Sequence, residues 1–204
     1  MTTPWTRLED TPLWTSARLA HDIPAGRHYH GFHHPLAMYA HAENTFGIGH
    51  DPALDKAILL HDVIVDGKLV PERRSVEWAF SRGVIDEAVH DMIMRTVDHA
   101  PGRDNRLVLL DLADFTVDDL RRRNTELLMK EAADLSGTTP EEFLEGCHAY
   151  LSALHDRIRS GVGNVPDWSD AAAFDAVSEG IARTIEEIET HRAGPKNDTT
   201  PCPE

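Results

Sequence analysis

Apolar residues recur along the chain at spacings of three and four, and no alternation with period two lasts beyond a few residues. This pattern predicts helix after helix and no β-hairpin. Residues 11–22 place Leu13, Trp14, Ala17 and Ala20 on one helical face, whereas 23–34 are less regular. Pro35 suits the first position of a helix through Leu36, Met38, Tyr39 and Ala40. Asp51-Pro52 is a capping acid followed by proline, and the helix it opens carries Leu54, Ala57, Ile58 and His61 at i, i+3, i+4 and i+7. His61 therefore points the way the core residues point. Asp66-Gly67 is expected to break this helix. Residues 72–82 and 84–99, parted by Gly83, read as two further helices, and Pro101-Gly102 as a turn. Residues 104–114 form a short helix in which Asp111 shares a face with Leu107 and Val108. Amphipathic helices follow over 117–135 and 140–159, separated by Ser136-Gly137, the second opening at Thr139-Pro140-Glu141-Glu142. After a Gly/Pro-containing linker, Ser169 caps a last helix to about residue 191. The expected architecture is an all-α, single-domain bundle over residues 1–192, without internal repeats, followed by a disordered tail at 193–204.

A length of 204 residues suits one domain with a sizeable core. The net charge of −15 disfavours a polyanion-binding surface, so duplex nucleic acid is not an expected partner. A nucleotide remains compatible, because a local metal or arginine can bind phosphate inside an acidic protein. Arg121, Arg122 and Arg123 read as a solvated helix face, and the acidic last helix as an oligomer interface or a solvated cover. Cys147 lies in a helical pattern and Cys202 in the polar tail, which gives neither a disulfide framework nor a thiolate zinc site. MTTPWTRLED has no apolar core of signal-peptide type, and no stretch is apolar enough to span a bilayer, so a cytoplasmic location is expected. The thirteen histidines are many for this length, and six of them fall between His21 and His41.

A metal site explains part of that excess. His61 and Asp62 stand together at the end of the apolar run AILLHD, and burying an imidazole beside a carboxylate is costly unless something compensates them. A divalent cation compensates both. His34, in RHYHGFHHP, and Asp111, in LVLLDLAD, are the candidate partners. Two imidazoles and two carboxylates suit Mn, Fe, Co, Ni, Zn or Mg. Neighbouring helical side chains diverge by about 100°, so His61 and Asp62 can share an ion only at the helix end. His33 competes with His34, and Asp114 and Asp104 compete with Asp111. A plain buried pair, hydrogen-bonded to each other or to backbone, is the bland alternative for His61-Asp62.

The arrangement H…HD…D resembles the HD superfamily of metal-dependent phosphohydrolases. Arg27, Tyr29, His30 and His34 match an R-x-Y-H-x-x-x-H segment of one subgroup of predicted HD phosphohydrolases. His61-Asp62 with Asp66, Glu72 with Ser75, Thr96 with His99, and Asp111-Leu112 match its H-D-x-x-x-D, E-x-x-S, T-x-x-H and the end of its D-x-D-L. Pro35, Val65, Leu109 and Ala132 depart from the pattern, and none of these removes a ligand. The likeness spans roughly residues 20–160.

The resemblance implies an HD-type helical fold, a divalent metal on His34, His61, Asp62 and Asp111, and hydrolysis of a phosphoester of a nucleotide or similar small molecule. It implies a catalytic role for Asp62, with Glu72 or Asp66 taking or relaying the proton of water. Arg27, His30 and His99 would bind the phosphoryl group. Glu72 has a second explanation as a first-turn acid, and His99 as a last-turn histidine. Two alternatives belong to other classes. A di-iron oxygenase would need two more histidines from the interval that holds His90 and His99, nine residues and about half a turn apart. A non-catalytic module would sense a nucleotide in the same pocket.

Overall fold

The computed structural model describes residues 8, 11–22, 25–67, 70–99, 104–161 and 171–193. Among the described residues the chain is all-α, with nine α-helices and no strand, forming a single helical domain. They are α1 (Pro12–Asp22), α2 (His33–Ala40), α3 (Pro52–Leu60), α4 (Pro71–Phe80), α5 (Glu87–Thr96), α6 (Arg106–Asp111), α7 (Asp118–Ser136), α8 (Pro140–Gly161) and α9 (Ala171–Ala193). A π-helical turn at His41–Thr45 prolongs α2, and a 3-10 turn at Ala113–Thr116 follows α6. No helix among the described residues is long and apolar enough to cross a membrane. The Pro101-Gly102 turn, the linker after residue 161, Ser169, Cys202 and the tail from residue 194 lie outside the described residues.

Two apolar clusters share α6. Residues of α1 to α5, among them Trp14, Met38, Tyr39, Leu54, Ile58, Val76 and Ile93, pack with Leu107 and Leu110. Val108, Leu109 and Leu112 turn the other way, onto Leu151 and Leu154 of α8 and Phe174, Val177 and Ile181 of α9. A helix apolar on every side is a buried helix, and α6 carries Asp111 at its end. Gly180 lets α9 approach the turn after α6, since a Cβ there would stand 1.9 Å from the Phe115 carbonyl oxygen.

Several boundaries differ from the sequence reading, each for a physical reason. Helix α2 begins at His33, two residues before Pro35, because a first turn leaves its amide protons unpaired anyway and so tolerates proline within it. Helix α3 starts as expected, with the Asp51 side chain accepting from the amides of Ala53 (2.8 Å) and Leu54 (3.3 Å). It ends at Leu60, well before Asp66-Gly67. The backbone groups that would extend it are taken elsewhere: Arg27 donates to the carbonyls of Asp62 and Val63, and Ile64 N–H donates to Ser75 Oγ at 3.0 Å. Arg121 is buried, contrary to the solvated face expected for 121–123. It bridges α7 to α9 through Glu187 (2.6 and 2.9 Å) and Thr184 (3.3 Å), while Arg122 and Arg123 are exposed.

Candidate metal centre

Three helix ends converge beneath one cavity. His34 is the second residue of α2, His61 and Asp62 follow the last residue of α3, and Asp111 is the last residue of α6. One ligand atom from each lies within 4.8 Å of all the others. His34 Nε2 stands 3.2 Å from His61 Nε2, 3.0 Å from Asp111 Oδ1 and 4.0 Å from Asp62 Oδ2. His61 Nε2 lies 3.1 Å from Asp62 Oδ2 and 3.7 Å from Asp111 Oδ1. Ligand atoms about 2.1 Å from one ion are about 3.0 Å apart at right angles and about 4.2 Å apart when opposed. The observed separations fall across that interval, so the four residues could hold a metal ion. His34, His61 and Asp62 are buried, and Asp111 is partly buried.

The hydrogen bonds orient the donors. His61 Nδ1 meets the Ile58 carbonyl oxygen at 2.9 Å. A carbonyl only accepts, so Nδ1 carries the proton and the neutral ring aims its Nε2 lone pair into the cluster. His34 Nδ1 is buried without a hydrogen-bond partner. Two imidazole nitrogens 3.2 Å apart need a shared proton or a cation between them. Burial pulls the His61 pKa down, but Asp62 and Asp111 outweigh it and hold it well above 6.5. The imidazoles in turn overcome the effect of burial on Asp62 and Asp111 and hold both below the usual carboxylate range. The cluster therefore attracts positive charge, as a proton or as a metal.

A second layer of contacts fixes the cluster. Glu131 of α7 accepts with one oxygen from the backbone amides of His28 (2.8 Å), Tyr29 (2.9 Å) and His30 (3.0 Å), and with the other pairs to His30 Nδ1. Those contacts outweigh burial and bring the Glu131 pKa down to about 2. His30 Nε2 faces Asp62 Oδ2 at 3.7 Å. Burial lowers the His30 pKa, but Asp62 and Glu131 raise it more, to above 6.5. His99 donates through Nε2 to Asp111 Oδ2 at 2.8 Å, and Tyr150 Oη stands 2.7 Å from its Nδ1. His99 has φ 47°, a backbone conformation that costs a residue with a Cβ about 1 kcal/mol or more.

The competing ligands have other partners. Asp114 pairs with His41 Nε2 at 2.8 Å and accepts from Asn124 at 2.6 Å. Asp104 pairs with Arg106. Of the residues expected to bind substrate or relay a proton, His30, Glu72 and His99 line the cavity beside the cluster, whereas Arg27 and Asp66 do not. The Arg27 guanidinium donates to the carbonyls of Ala20, Asp62 and Val63, and Asp66 is paired with Arg74. Burial, with Asp62 and Asp111 nearby, raises the Glu72 carboxyl above 4.5. His90 is exposed beside Asp91.

The cavity measures about 480 Å³ and opens on Asp62 and Asp111, with α7 and α8 forming its far wall. The roles of Glu131 and Tyr150 were not anticipated from the sequence. Glu131 leaves a faint signal as an acid in the apolar register of Leu127 and Leu135, while Tyr150 leaves none. No protein-family model, curated protein or solved structure matches this chain.

Proposed function

We propose that this chain is a metal-dependent phosphohydrolase of the HD type, cleaving a phosphoester of a nucleotide or similar small molecule with water. One observation carries the reading: two imidazoles and two carboxylates from three helix ends meet in one cluster, and the two carboxylates, Asp62 and Asp111, face a ligand-sized cavity. His34, His61, Asp62 and Asp111 would hold the divalent ion, which when bound supplies Lewis acidity toward a phosphoryl oxygen and makes water more acidic.

The remaining work falls to side chains. Hydrolysis joins the oxygen of water to phosphorus, breaks the phosphorus–oxygen bond to the leaving group, and passes one proton from water to the departing oxygen. Glu72 stands in the cavity wall with a raised pKa, which suits an acid that takes that proton and returns it. His30, whose hold on a second proton Asp62 and Glu131 strengthen, stands in the same wall, where charge builds on the phosphoryl oxygens. His99 orients Asp111 through its hydrogen bond. In this reading Arg27 shapes the loop that carries Asp62, and Asp66 is held by Arg74 outside the cavity. The oxygenase alternative is disfavoured because the exposed His90 cannot supply its second extra ligand.

Phosphate release from nucleotides and generic phosphoesters, screened over Mn, Co, Ni, Zn and Mg, is the test. His34→Ala and Asp62→Ala are each expected to lower turnover by at least about 100-fold. Full activity in both variants would remove the proposed site.

A further inference from the structure

We infer that the cavity accepts a phosphomonoester whose leaving group is apolar and uncharged, an aryl or branched alkyl alcohol, in preference to a nucleotide. The inference rests on the hydrolase reading above and narrows its substrate class. Away from the metal cluster, Leu112, Phe115, Leu128, Phe143 and Leu151 make most of the wall apolar, between Thr125, Thr138 and Glu142. Burial pushes the Cys147 thiol in the same wall up to about 11, in keeping with an apolar surrounding. A cavity of roughly 150 Å³ takes up a benzene; this one is about 480 Å³, with room for a phosphoryl group and one or two rings.

Charge argues in the same direction. Among the described residues lining the cavity there is no lysine and no arginine. Arg157 acts on Tyr150 electrostatically but does not line the cavity. Beyond the ligands, the charged lining consists of Glu72 and Glu142, with His30 and His99 beside the cluster. One phosphoryl group can be met by the ion. A second or third would be desolvated against carboxylates with no counter-charge, an arrangement that selects against di- and triphosphates. The described lining also holds no asparagine or glutamine, whose amides offer a donor and an acceptor side by side to a base edge; its neutral polar groups are the hydroxyls of Tyr29, Thr125, Thr138 and Tyr150.

Binding separates this inference from the reaction. Phenylphosphonate is expected to bind the Mn-loaded full chain at least about tenfold more tightly than methylphosphonate, because the ring leaves water for the apolar wall. Leu128→Lys and Phe143→Lys, two substitutions at partly exposed wall positions, should each erase that advantage. Equal affinities for the two phosphonates, or an advantage that survives in both variants, would overturn the inference. In turnover, kcat/KM for 1-naphthyl phosphate should exceed that for AMP, ADP and ATP by at least about tenfold; the reverse order would also overturn it. If no phosphoester is hydrolysed while phenylphosphonate keeps its wall-dependent advantage, the hydrolase reading falls and the ligand class stands.

Discussion

His61 shows how much one side chain's surroundings decide. Its Nδ1 proton is committed to Ile58, so its Nε2 either holds a proton that Asp62 and Asp111 retain or yields a lone pair to a metal. The pH dependence follows from the direction of the shift. Folded His61 and His30 bind protons more tightly than in the unfolded chain, where the pKa is 6.5. That stabilisation is complete below 6.5 and is lost as pH rises through the folded values. His21, lowered by burial to about 3, and His33, also lowered, act in the opposite sense, but only below 6.5. The thermal midpoint of metal-free protein is therefore expected to fall as pH rises above 6.5. Added Mn should raise it more at about pH 8 than at about pH 6, since protons and metal compete for the same nitrogens. A midpoint indifferent to metal at both values would contradict the site. The buried cluster of His34, His61, Asp62 and Asp111 was legible because these residue types carry metal-donor atoms and the apolar runs around His61 and Asp111 announce burial. Glu131 was not, because its partners are three backbone amides about a hundred residues away, at His28, Tyr29 and His30.

Among elements, the starts of α3 and α8 were written locally and the end of α3 was not. Asp51-Pro52 opens α3, and Thr139 with Glu142 forms a reciprocal cap on α8, the Thr139 amide donating to Glu142 (2.9 Å) and the Glu142 amide to Thr139 Oγ1 (3.3 Å). The end of α3 depends instead on Arg27 and Ser75, which lie far along the chain from it in opposite directions. At that end His61 keeps a helical backbone (φ −58°, ψ −40°), and Asp62, the next residue, faces the cavity. Ser75→Ala leaves the Ile64 amide without its acceptor and is expected to destabilise the fold by about 1–2 kcal/mol. Urea unfolding measures that loss, and metal affinity should weaken with it as the Asp62 loop loosens. An unchanged unfolding midpoint would mean that Ser75 does not fix the loop.

At the scale of the whole molecule, an acidic, all-helical chain was legible from periodicity and charge. The division of its interior was not, because no local pattern tells which face of LVLL meets which neighbours. Among the described helices, α6 alone sends buried side chains into both clusters, and Asp111 terminates it. No residue of α9 belongs to the ligand set or lines the cavity, yet α9 packs on α6 and on the turn that follows it. Cation capture at the cluster would thus be linked to the integrity of that distant helix through one shared rod. Adding Mn to metal-free protein should slow deuterium uptake by the backbone amides around Val177 and Ile181, and a chelator should restore it, even though nothing in that helix touches the ion.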